Sequence, residues 1–266
     1  MFYNKEIFFR IEESKRSGSL PKQHYKFYFF SVIQNKESQI LLDILVEKNM
    51  YPKLAPVTIN SPLFLVEGND IELDCPTKDC LLGDKLTAFA LHTTGIPYGK
   101  GKDLEIAKQL FDVATLFDAI EDIRMVKTTF NKIAFQELTY RGLQHLSTFD
   151  ALWDSFNTSI LIGSRGVASS IEYAELVSGF RKMAGFVFSG YFSLDTAILC
   201  ASKVAYLSAL LLKEGDKLER FQKDSNVSSW VIKNQDYNKL NKLKKTDPEA
   251  FYYFFQALKF LSLLEN

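Results

Sequence analysis

The residues best placed to do chemistry lie between positions 81 and 113, in the stretch LLGDKLTAFALHTTGIPYGKGKDLEIAKQLFDV. Lys85 falls early in one helical segment. Lys108 and Asp112 fall four residues apart in the next, hence on one helix face. A lysine–aspartate pair at that spacing reads first as a helix-stabilising contact worth tenths of a kcal/mol. A further acid, Asp43, interrupts the apolar run LLDIL. By strand alternation it shares a face with Leu41, Leu45 and Glu47, while Leu42, Ile44 and Val46 face the other way. A carboxylate among apolar side chains is costly unless it is paired or binds a metal ion; otherwise it belongs on an edge strand facing solvent.

Other constellations carry less. Cys75 and Cys80 have four residues between them, too many for a zinc knuckle, and no histidine lies close in sequence. His24, His92 and His145 are isolated and read as surface or satisfied histidines. No Gly-x-Ser-x-Gly element supports serine hydrolase chemistry, and no P-loop spelling occurs. Asp70, Glu72 and Asp74 alternate along one strand face and read as solvated. The run from Phe251 to Phe255 reads as helix core with one exposed flank, and Lys233, Lys239, Lys242, Lys244 and Lys245 read as a solvated face.

Two kinds of element must position these groups. The first 75 residues are β-rich: the pattern predicts strands over Tyr25–Ile33 and Gln39–Glu47, joined by a polar hairpin loop from Gln34 to Ser38. Shorter strands are expected around Val57–Ile59, Leu63–Val66 and Ile71–Leu73, punctuated by Pro52, Pro56, Pro62 and Gly68. Near-continuous hydrophobicity in the first two strands suggests that both sheet faces are covered. From about residue 78 the character is helical. Leu81–Leu91 is a helix candidate, Thr93–Lys102 is a Gly/Pro loop, and Ile106, Leu110, Val113 and Phe117 form an apolar helical stripe. Further helices are expected near 119–140, 148–159, 168–186, 194–213 and 247–264, the last capped by Asp247 with Pro248 in its first turn. The expected fold class is α+β, a small sheet followed by a mostly helical half, with a division of the chain into 1–78 and 79–266.

Composition excludes several classes. With 47% hydrophobic and 24% charged residues over 266 positions, the chain can bury a core and is not disordered. Lys+Arg and Asp+Glu both number 32, so no global charge argues for nucleic acid or anionic membrane. Three cysteines without framework spacing suit a reducing cytoplasm. The N-terminal segment reads as neither signal peptide nor presequence, and no run of 18 apolar residues occurs, so no membrane span is expected.

The spellings LLGDKLTAF, TTGIPY and KQLFDV together resemble the AbiEii/AbiGii family of nucleotidyltransferase toxins, in which "ilgeKLrAl", a variable loop and "RDLyDl" follow one another. Ala90 and Gln109 depart from that pattern, standing where the family often has threonine and an aspartate. The resemblance implies a bacterial protein of the abortive-infection or toxin–antitoxin type, with a partial nucleotidyltransferase-like mixed sheet completed by helices. It implies Mg²⁺-dependent transfer of a nucleoside monophosphate from a nucleoside triphosphate. Asp43 would be the third metal-site acid, in its h-D-h strand setting. Lys85 would neutralise triphosphate charge, Asp112 would act as base or orienting acid, and Lys108 would contact phosphate or support Asp112. His92, just ahead of the TTGIPY loop, would border the cleft. Implied partners are RNA, tRNA included, gripped by the Lys233–Lys245 cluster, and an antitoxin. The family's opening Gly-Ser and Asp-x-Asp are not found in context: Gly18-Ser19 precedes no acid until Glu37, and Gly163-Ser164 leads into a helical stretch. The expectation is therefore a truncated or decayed member, impaired as a catalyst, with magnesium only where the site is complete. An exposed sheet edge would favour a homo-oligomer. The competing expectation is a non-enzymatic member that binds nucleotide, RNA or an antitoxin.

Overall fold

A computed structural model describes residues 7–13, 22–62, 68–166, 170–187 and 191–265. The chain divides into two compact units, Met1–Asn49 and Met50–Asn266. The division falls earlier than residue 78, so the second β-hairpin belongs with the helices.

In the first unit, β1 (Arg10–Glu13), β2 (Lys22–Ser31) and β3 (Lys36–Leu45) form an antiparallel sheet in the order β1-β2-β3. The register pairs Ser31 with Lys36, which places Val32, Ile33, Gln34 and Asn35 in the turn. Asn35 takes a positive φ of 49°, a conformation that asparagine tolerates better than most residues. The polar hairpin loop expected from Gln34 to Ser38 thus shifts towards the N-terminus, and Val32 and Ile33 lie at the tip rather than in the strand.

Alternation gives the sheet two unlike faces. Ile11, Phe27 and Ile40 are neighbours across one face, with Tyr25 beside Leu42 and the Phe8 ring edge-on to Phe27 at 5.4 Å. The other face carries Arg10, ion-paired to Glu12 and Glu37 and lying over the Tyr28 ring, together with the His24–Asp43 pair. The expectation that both faces are covered is overturned, because Ile40, Leu41, Leu42, Ile44 and Leu45 are all exposed. Strand hydrophobicity marks the apolar face, but across from Leu41 the partner strand offers Lys26, and that face is polar.

The second unit opens with the hairpin β4 (Leu54–Thr58) and β5 (Glu72–Pro76), antiparallel and separate from the first sheet. All pairings among the described strands are antiparallel, so the mixed sheet implied by the resemblance is not what they form. The strand expected over Leu63–Val66 and the Gly18-Ser19 element lie outside the described residues.

Eight helices follow among the described residues: α1 (Lys78–Ala88), α2 (Asp103–Ala119), α3 (Ile123–Tyr140), α4 (Thr148–Gly163), α5 (Ile171–Met183), α6 (Leu194–Leu212), α7 (Leu243–Thr246) and α8 (Pro248–Phe260). The α+β class is as the sequence pattern reads. Most of the helix starts are written in local chemistry. Thr77, Asp122, Ser147, Ser170, Ser193 and Asp247 each accept a backbone N–H of their own first turn. Ser147 and Asp150 form a reciprocal capping box. The helices share one apolar core in which α6 is central: Ala201, Val204, Ala205, Tyr206, Leu207 and Ala209 are fully buried. By length and composition α6 could cross a membrane, yet 78% of it is buried inside the unit, as in a core helix.

The α2–α5 seam contains a buried charge. Asp103 accepts from Lys182 Nζ at 2.7 Å and from Ser178 Oγ at 2.6 Å, and these two bonds, led by Lys182, hold its carboxyl below the usual range. A depressed carboxylate stabilises the fold above its unfolded value of about 3.9, and that contribution is lost as pH falls through the folded value. Asp103→Asn is therefore expected to be less stable than wild type at pH 7, with the gap in urea midpoint closing as the pH drops below about 4. A gap unchanged down to pH 2 would show that the charge contributes nothing.

Candidate functional site

α1 and α2 lie side by side because Leu82 and Leu86 on one, and Ile106, Leu110 and Val113 on the other, enter the same core. That packing brings Lys85 and Asp112 together. Lys85 Nζ donates to Asp112 Oδ2 at 2.9 Å, across 27 residues of sequence, and both side chains are about one-third exposed. The middle of LLGDKLTAF thus meets the end of KQLFDV.

Lys108 does not join them. Its ammonium lies 4.1 Å from the centre of the Phe186 ring, beyond the end of α5. The support expected for Asp112 from its own helix comes instead from α1, since Lys85 reaches Asp112 and Lys108 is drawn to an aromatic face. One residue before Lys85, Asp84 accepts a 2.5 Å hydrogen bond from Tyr51, whose phenol is pushed up by burial and by that carboxylate.

The segment between the motifs folds back on α1. Gly95 N donates to Ala90 O at 2.6 Å, Ile96 N to Ala88 O at 3.1 Å, and Thr94 Oγ1 to Thr87 O at 2.7 Å. These bonds satisfy carbonyls that the end of a helix otherwise leaves open. Gly95 is required by the close approach: a Cβ there would stand 2.5 Å from Ala88 O. TTGIPY is thus a C-terminal cap built to stay close to α1.

Asp43 belongs to the first unit. It lies on β3, an edge of the described sheet, with its side chain 74% exposed and 2.5 Å from His24 Nδ1. That is the edge-strand, solvent-facing setting, and burial exerts no pressure for a metal ion. Among the described residues no group of His, Cys, Asp and Glu is gathered as metal ligands. A single carboxylate bonded to a histidine is not the oxygen cage that Mg²⁺ takes, so no step here is derived through magnesium.

Comparisons of the chain with protein-family models, with curated proteins and with solved structures give no match.

Sequence reasoning singled out His92 but missed its partners. The ring lies 2.9 Å from Asp154 on one side and 2.9 Å from Glu172 on the other. Asp154 is buried, and its second oxygen accepts from His92 N at 2.7 Å and Thr93 Oγ1 at 2.9 Å. The signal available was an acid on the inner face of α4, among buried Ala151, Ser155 and Thr158 at helical spacing. Tyr98 packs against the His92 ring at 5.2 Å, and its buried hydroxyl lies beside Thr158 without a well-formed partner.

Elsewhere, buried Lys203 is held by both oxygens of Asp118, at 2.7 and 2.9 Å. Burial pushes the Cys200 thiol up to about 12, which removes it as a nucleophile. In the lysine cluster, Lys233 pairs with Glu265 and Lys244 donates to Trp230 O. Lys242, Lys244 and Lys245 line an open cleft of about 540 Å³ with Ser228, Asn241 and Thr246, and among the described residues no carboxylate lines it.

Proposed function

We propose that this chain is a nucleotidyltransferase-like protein of the abortive-infection or toxin–antitoxin type, acting in the cytoplasm, whose own residues bind the phosphates of a nucleoside triphosphate. The observation that carries this is the 2.9 Å contact between Lys85 and Asp112. It joins the charged positions of LLGDKLTAF and KQLFDV, the two spellings on which the resemblance rests. Lys85 supplies a partly exposed ammonium at the place where triphosphate charge would be neutralised. Asp112 holds that ammonium in one direction and is a proton acceptor beside it. Lys108, stacked on Phe186, is a second cation, carried by α2.

Transfer of a nucleoside monophosphate needs a metal site, which Lys85, Lys108 and Asp112 do not supply. The activity assigned to these residues is therefore nucleotide binding, and catalysis is impaired wherever the metal-site acids are missing. The cleft lined by Lys242, Lys244 and Lys245 supports RNA as the acceptor or bound partner. An antitoxin, and a second copy along the exposed β3 edge, belong to the same reading.

The test is calorimetry with GTP, CTP, ATP and UTP in the presence of Mg²⁺, on wild type and on Lys85→Ala. Saturable binding of at least one nucleotide is expected, weakened about tenfold or more in the variant, the equivalent of about 1.4 kcal/mol. A partly exposed ion pair contributes about 0–1 kcal/mol to folding, so Lys85→Ala stays folded and reads binding alone. Failure of all four nucleotides to bind overturns the proposal. Binding that is identical in the variant would remove Lys85 from the site.

A further inference from the structure

His92 stands on the loop after α1 with a carboxylate at each ring nitrogen. Asp154 of α4 is 2.9 Å from Nδ1, and Glu172, in the first turn of α5, is 2.9 Å from Nε2. A neutral imidazole has one N–H and one lone pair, and an ionised carboxylate only accepts. A neutral ring can therefore donate to one of the two acids and must set a lone pair against the other. Both contacts are favourable together only when the ring carries two protons.

We propose that His92 is a proton-dependent clasp: as an imidazolium it ties the TTGIPY loop to α4 and to the start of α5, and losing one proton releases the α5 arm. The two arms are unequal. Asp154 is buried, and the His92 backbone and Thr93 hydroxyl fix it in place, so it has no water to turn to. Glu172 is partly exposed and can hydrate. The single proton of a neutral ring therefore stays on Nδ1, facing Asp154, and Glu172 leaves.

The groups that face His92 act in one direction. They are Asp154 from α4, Glu172 from α5 and the Tyr98 ring from its own loop. Behind Tyr98 lies Glu175 of α5, which accepts from Gly99 N at 2.9 Å. Burial works against the imidazolium, but the bonds to Glu172 and Asp154 outweigh it and hold the ring above its ordinary value. A raised histidine stabilises the closed form fully below the unfolded value of about 6.5, and that contribution is lost as pH rises through the folded value. The clasp thus opens on the alkaline side of the ordinary imidazole value. The loop it holds is the one that caps α1, the helix carrying Lys85. The clasp itself does not depend on the nucleotide reading.

The experiment is a pH titration of the imidazole ¹⁵N resonances of the full chain, with His92→Gln identifying the signal among the three histidines. Hydrogen exchange over 93–99 and Ile171–Glu175 is followed in parallel. Both ring nitrogens should be protonated at about pH 6.5, with a midpoint above that value. Exchange of the α5 first turn should quicken severalfold beyond the intrinsic rate as pH passes the midpoint. Glu172→Gln, a change at a partly exposed position that leaves the fold intact, should lower the midpoint and abolish the pH-dependent step in exchange. A ring neutral at about pH 6.5, or α5 protection that does not change across the titration, overturns the proposal.

Discussion

Gly83→Val is expected to lower the stability of the helical unit by about 3 kcal/mol or more and its Tm by about 6–12 °C. Glycine inside a helix normally costs about 1 kcal/mol relative to alanine, so its presence in α1 needs a reason. The reason is α3. A Cβ on Gly83 would stand 2.5 Å from Val126 O, 2.9 Å from Phe130 N and 2.9 Å from Thr129 Cβ. Two of these atoms are backbone and cannot rotate away, so the helices must separate. Leu82, Leu86, Val126 and Phe130, all fully buried, would then lose their close packing. Gly83→Ala isolates the conflict: its gain in helix propensity opposes the clash, and a net loss is still expected. Gly185→Ala, where a Cβ meets nothing within 4 Å, should stay within about 0.5 kcal/mol of wild type. Thermal melts of the three variants decide the matter. A Gly83→Ala protein as stable as wild type would mean that α1 and α3 do not approach this closely. Lys85 lies two residues on, so the same melts should be paired with nucleotide titration.

How far the sequence foretold this arrangement depends on which physical rule governs each residue. The apolar stripe Ile106, Leu110, Val113 and Phe117 is a local periodicity, and α2 buries all four. Asp247 with Pro248 is a local cap, and α8 begins there, with Asp247 accepting from Ala250 N. Helix ends failed where periodicity ran past a cap: the helix expected from 119 begins at Ile123, because Asp122 caps it through Arg124 N and Met125 N. Val32 and Ile33 were legible as apolar but not as a turn, since register, not residue type, fixes where a hairpin reverses. Among the site residues, Lys85, Lys108 and Asp112 were legible as charged positions in their motifs. Their partners were not, because a helix surface pair at four residues yields to any tertiary contact that is better placed. His92 was visible, but Asp154 and Glu172 stand 62 and 80 residues away, and only the packing of α4 and α5 brings them to one ring.

Phe117→Ala should be comparably damaging, costing about 3–5 kcal/mol. Phe117 is fully buried near the end of α2, where α6 and α8 converge. Its ring meets Tyr253 edge-on at 5.4 Å and Tyr206 at 6.1 Å, and such pairs add about 0.5–1.5 kcal/mol beyond area burial. The loss extends beyond the ring. The Tyr206 hydroxyl accepts from Glu219 N and that of Tyr253 from Phe221 N, so both tyrosines anchor the segment after α6 as they pack on Phe117. Arg220 of the same segment donates to the carbonyls of Phe117 and Ile120, at 3.1 and 2.6 Å. One side chain therefore supports the end of α2, two aromatic rings and the backbone of a long connection. Phe135→Ala is the matched control, because that ring is 67% exposed and should change stability by about 0.5 kcal/mol or less. Phe117→Leu separates volume from ring geometry: an intermediate loss is expected, with the tyrosine anchors loosened but not released. Chemical denaturation with tyrosine fluorescence as a second probe reads both effects. If Phe117→Ala and Phe135→Ala behaved alike, the end of α2 would not be anchored in this core, and the placement of Asp112 beside Lys85 would lose its structural basis.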